Sequence, residues 1–168
     1  MGQHHPETRY DVFTDPEIKD EDKIRAFSIM VGGFYKHGPG ETVSDLEQKH
    51  PLAHPVSTPL TMTKEELSSM VYEVPGCPGG SDITFALTAD KYLLLADMRK
   101  TALFPPITDD QWAKINWRHI WCDHSFYDVI WGKWSLEKEI QAARQEGTYV
   151  RPVEYVRVRG GNHFVGVI

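Results

Sequence analysis

A chain of 168 residues, 25% charged and 40% hydrophobic, is long enough to bury a core and has the composition of a globular domain. Its net charge of −6 excludes a broad nucleic-acid footprint, and its longest apolar run, "YLLLADM", is far below the roughly 20 residues that span a bilayer. Two cysteines, Cys77 and Cys122, are too few for a disulfide framework and are expected as free thiols. With an N-terminus that lacks an apolar signal core, the expectation is a soluble cytoplasmic protein.

Residues 1–13 are polar and are read as a flexible N-terminus. Thr14-Asp15-Pro16 then supplies a cap and a first-turn proline. Ile24, Phe27, Val31 and Phe34 follow at helical spacing, so a helix is predicted from Pro16 to about Lys36. Gly38-Pro39-Gly40 stops it. The proline-rich stretch over 38–60 reads as an irregular connection around a short helix at Val43–Lys49. Thr63-Lys64-Glu65-Glu66 is a capping box ahead of Leu67, Met70 and Val71. "PGCPGGSD" breaks the chain. A further helix capped by Thr88 carries Tyr92, Leu95 and Met98 and ends at Pro105-Pro106, with another capping box at Thr108 to Gln111.

Near residue 115 the texture changes. "NWRHIWC" alternates as a strand with Trp117, His119 and Trp121 on one face. A helix follows from Ser125 to about Glu146, with a break expected at Gly132 and an end at Gly147. "VEYVRV" is a second strand, turned by Gly160-Gly161. The fold class is therefore α/β. A helical region over 14–114 is followed by a strand–helix–strand part over 115–168, whose pattern implies two parallel strands.

In such a sheet, reactive groups gather beyond the carboxyl ends of the strands. Here those places are "CDHSFYD", with Asp123, His124, Ser125 and Asp128, and "GGNHF", with Asn162 and His163. A carboxylate from the first loop that fixes the tautomer of a histidine in the second forms the back half of a nucleophile–base–acid relay. Asp123 and Asp128 also read as charges that suit a helix N-terminus, and Ser125 as its cap. His119, Cys122 and His124 lie close in sequence. On a strand, however, His119 and Cys122 point to opposite faces, and no second ligand pair has zinc spacing, so no metal and no cofactor are expected.

"INWRHIWCD" followed by a helix and then "VEYVRVRGGNHFV" resembles the C-terminal part of the α/β-hydrolase fold. The resemblance implies a partial α/β-hydrolase-like protein in which residues 14–114 form a helical cap and His163 is the general base. Asp123 or Asp128 is the implied acid, Asp123 ahead because it directly follows the strand. The position at which the family often carries its acid is Ser125 here. Complete relatives hydrolyse ester, amide or related bonds behind a cap. This sequence has no Gly-x-Ser-x-Gly nucleophile elbow and no counterpart of the oxyanion-hole loop. The expectation is therefore a truncated member, inactive alone, that takes a small-molecule substrate only when missing segments complete it. The alternative is a non-catalytic α/β protein that binds a partner. An open edge on the first strand predicts self-association.

Overall fold

Short acidic side chains set the start of the first helix. Asp11 accepts the amide of Phe13 and Asp15 that of Glu17, each at 2.9 Å. Carboxylates that bond the backbone two residues on hold turns at the expense of helix. The helix expected over Pro16–Lys36 is thus shortened to a 3-10 turn, Asp20–Asp22, and α1, Lys23–Val31. The computed structural model describes residues 8–70, 72, 74–76, 79–105 and 115–164. Cys77 and the capping box at 108–111 lie outside them.

Gly32 and Gly33 end α1, and the chain beyond them is extended. Phe34 O accepts the Leu52 amide at 2.6 Å, and the Tyr35 amide donates to His124 O at 2.9 Å. The short helix expected at Val43–Lys49 is one 3-10 turn, Val43–Asp45, held by Asp45 through the Gly40 and Thr42 amides. A one-turn helix, α2, spans Thr58–Thr61.

The capping box at Thr63 forms. The Glu66 amide donates to Thr63 Oγ1 at 3.2 Å and the Thr63 amide to Glu66 Oε2 at 2.8 Å, opening α3, Lys64–Met70. The helix capped by Thr88 does not. Thr88 lies inside α4, Ser81–Lys91, and α5, Leu94–Leu103, starts after Leu93 at φ 55°. No glycine or proline marks that break, and a leucine in the left-handed region is uncommon.

β1, Trp117–Cys122, and β2, Val153–Val158, form a two-stranded parallel sheet joined through α6, Tyr127–Gln145. The register sets the Trp117 amide on Pro152 O and the Asp123 amide on Val158 O. Exposure alternates along β1 from Trp117 to Trp121, with Trp117, His119 and Trp121 the more covered residues, and the strand ends on the buried Cys122. α6 runs unbroken through Gly132. The roughly 1 kcal/mol that a helical glycine costs is outweighed by burial of Ile130, Trp134, Leu136 and Ile140. Gly147, at φ 76°, follows its end.

The chain divides into two compact units. One draws on Thr63–Trp117 and Lys138–Val153, the other on His5–Met62, Arg118–Glu137 and Glu154–Ile168. Residues 14–114 thus contribute to both. In the first unit the buried Arg151 closes the C-terminus of α5. Its amide donates to Leu103 O and its Nε to Ala102 O, both at 2.9 Å, and its guanidinium lies over Trp117. A cation there meets the negative end of the helix dipole. Phe85, Leu87 and Met98 of the same unit are exposed. The second unit has a core of Leu46, Tyr127, Ile130 and Trp134, with Trp121 and Trp131 packed against it. Tyr35 is fully buried and donates its hydroxyl to Met30 O, and burial raises its pKa to about 12. No described helix is long and apolar enough to cross a membrane.

Candidate functional site at the strand ends

The parallel register brings the loops after β1 and β2 side by side in the second unit. The His124 amide donates to Gly161 O at 3.0 Å, and the Gly160 amide to Asp123 Oδ1 at 2.6 Å. Gly160, at φ 70°, turns the chain into the second loop. Gly161 packs against β1, since a Cβ there would lie 3.2 Å from Cys122 Sγ. Cys122 is a free, buried thiol whose pKa burial raises, with the charge of Asp123 adding to the effect.

Asp123 sits where the sequence puts it, directly after β1, and its carboxylate is engaged on both oxygens. Oδ1 takes the Gly160 amide, while Oδ2 receives Arg157 Nε at 2.9 Å and Nη2 at 2.7 Å. Burial alone would raise this carboxyl. The Arg157 and Gly160 hydrogen bonds and the charges of Arg157 and His124 outweigh it and hold its pKa below the usual value.

His163 is exposed beyond Asn162. Its ring meets Phe126 edge-on at 5.3 Å between centroids and Phe164 at 5.7 Å. Partial burial lowers its pKa, which favours a neutral imidazole, the form a general base needs. Among the described residues no side chain forms a hydrogen bond with that ring, so Asp123 and His163 share a loop pair without a bond between them. Asp128 stands in the first turn of α6, where the helix dipole favours an acid, and its charge adds to the burial that raises the Tyr127 hydroxyl.

Ser125 is not the helix cap that the sequence suggests. Two residues ahead of α6, it is almost fully buried, and among the described residues its hydroxyl has no hydrogen-bond partner. What Ser125 does offer is its carbonyl, which faces His37 Nε2 at 2.8 Å.

Two residues in this unit give little sign of their part in the sequence. Asn162, read there only as a turn residue, is buried and donates Nδ2 to Gly32 O at 2.6 Å and to Thr58 Oγ1 at 2.8 Å, while its Oδ1 accepts the Phe164 amide. It fastens the loop bearing His163 to the end of α1 and the start of α2. His37 holds the other loop. A glycine beside each residue, Gly161 before Asn162 and Gly38 after His37, is too common a pattern to reveal either one.

Among the described residues no group of three or more His, Cys, Asp or Glu side chains is placed to hold a metal ion. No family model, curated protein or solved structure matches this chain.

Proposed function

We propose that this chain is an α/β-hydrolase-like protein that carries a strand-end general base, His163, and no nucleophile of its own, so that it does not hydrolyse ester, amide or related bonds by itself. The observation that supports this reading is the pairing of the two strand-end loops through His124 and Gly161, with an exposed, neutral-leaning imidazole on the second. Loops beyond the carboxyl ends of adjacent parallel strands are where α/β proteins assemble reactive groups. A base alone forms no acyl-enzyme. The sequence contains no Gly-x-Ser-x-Gly, and the one serine of the site, Ser125, has its hydroxyl buried.

A second reading, a non-catalytic protein that binds a partner, is favoured by Asp123. Its carboxylate serves Arg157 and Gly160, as a structural acid does. Phe85, Leu87 and Met98 are apolar side chains that such a protein leaves exposed.

Labelling with a fluorophosphonate probe tests the proposal, comparing the folded protein with His163→Ala. No labelling of either is the expected result. Labelling that His163→Ala abolishes overturns the statement that the chain lacks a nucleophile.

A further inference from the structure

Residues 38–46 form a closed strap in the second unit, with His37 at its root. The Gly38 amide donates to Asp45 O at 2.6 Å, which brings the two ends of the strap together, and the Leu46 amide donates to Val43 O at 3.1 Å within it. Leu46 is buried with Tyr127, Ile130 and Trp134 of α6. Glu41 Oε1 lies 3.8 Å from Lys133 Nζ, a distant pair that adds little.

His37 joins the strap to the loop after β1. Its Nδ1 accepts the Glu47 amide at 3.1 Å, and its Nε2 faces Ser125 O at 2.8 Å. A backbone N–H only donates and a carbonyl only accepts. Nδ1 must therefore be bare and the proton must sit on Nε2. Both partners together fix one neutral tautomer.

We propose that His37 is an acid-sensitive buckle: protonation of Nδ1 sets two N–H groups against each other at Glu47, and the strap over 38–46 releases Leu46 from α6 while Nε2 keeps its hold on Ser125. Among the described residues the Glu47 amide is the one hydrogen-bond partner of Nδ1, and no acceptor is bonded there. The Glu47 carboxylate accepts the Lys49 and His50 amides on Oε1, at 3.0 and 2.9 Å. Tyr35 stacks on the ring at 6.2 Å between centroids. From the loop after β1, His124 opposes a charge on His37, whereas Asp123, like Glu47, favours one. Burial is the largest influence and lowers the pKa of His37, against the bond to Ser125. The closed strap thus binds fewer protons than the open one, and acid favours opening. This device is independent of whether the chain has hydrolase ancestry.

Amide exchange and ring-nitrogen spectra of the intact protein, recorded from about pH 8 to about pH 5 across the histidine range, test it. The expected result is a bare Nδ1 at neutral pH, and then loss of protection confined to Glu47 and residues 38–46 as His37 gains its second proton. His37→Gln, which offers a donor and an acceptor but does not titrate, should remove that pH step. A protonated Nδ1 at neutral pH, unchanged Glu47 protection through the titration of His37, or the same step in His37→Gln overturns the proposal. The first two readouts need only the wild-type chain and decide the matter if the variant fails to fold.

Discussion

Arg157 on β2 reaches Asp123 at the end of β1, with Nη2 at 2.7 Å and Nε at 2.9 Å from the same carboxylate oxygen. The acid that the sequence offers to a catalytic histidine thus closes the sheet end instead. Arg157 is about half exposed, 53%, so solvent screening limits the ion pair to at most about 1 kcal/mol. The Gly160 amide is the second partner, at 2.6 Å on the other carboxylate oxygen.

Replacing that acid separates its two contacts. Asp123→Asn keeps an acceptor for the Gly160 amide and is expected to cost under about 1 kcal/mol, whereas Asp123→Ala loses both contacts and costs about 1–2 kcal/mol. Urea unfolding measures both. Because the folded-state pKa of Asp123 is lowered, its contribution is present above the ordinary carboxylate value and is lost as pH falls through the lowered one. The difference between wild type and Asp123→Asn should therefore shrink in acid.

Asn162→Ala is expected to cost about 1–3 kcal/mol, since it strips a buried set of hydrogen bonds from Gly32 O, Thr58 Oγ1 and the Phe164 amide. Asn162→Asp should be worse at neutral pH, because it turns an acceptor toward the Gly32 carbonyl. A lower thermal midpoint for both, with Asp below Ala, is the outcome to look for.

His119→Phe should stabilise the protein. The ring packs beside Tyr155 at 5.6 Å between centroids, and among the described residues its buried Nε2 has no hydrogen-bond partner. Phenylalanine keeps the ring contact and removes a polar atom whose burial costs about 1–3 kcal/mol. Burial lowers the pKa of His119, so the wild type loses stability as pH falls below the ordinary histidine value. Unfolding midpoints of the variant should rise at neutral pH and fall less steeply toward acid.

Gly32→Ala probes the close approach at the end of α1. An added Cβ would overlap the Pro59 ring and lie 3.2 Å from Phe164. Overpacking of this kind costs about 1–3 kcal/mol. Denaturant titration should show the loss, and the same substitution at Gly132, where a Cβ meets nothing, should stabilise by up to about 1 kcal/mol.

What the sequence made legible was local. The Thr63–Glu66 box, the alternation through Trp117, His119 and Trp121, and the stop at Gly147 all act over a few residues, and each stands in the fold. Tertiary contacts decided the rest. Asn162 and Gly32 are 130 residues apart, and His37 and Ser125 are 88 apart, so neither pair leaves a spacing to read. Gly132 looked like a break because the burial that carries α6 through it comes from residues far away, Leu46 among them. Strand-end placement was legible for Asp123 and His163, but the competitor that claims the acid, Arg157, was not, since its role depends on the register of β2 against β1.

Asp123 bonds Arg157 and the Gly160 amide at the sheet end and makes no bond to the His163 ring. Titration of the His163 ring nitrogens in wild type and Asp123→Asn tests that arrangement most directly. The expected result is a pKa below the ordinary histidine value in both proteins, with superimposable curves. A clear fall in the His163 pKa on Asp123→Asn would mean that the carboxylate supports the imidazolium, and would contradict it.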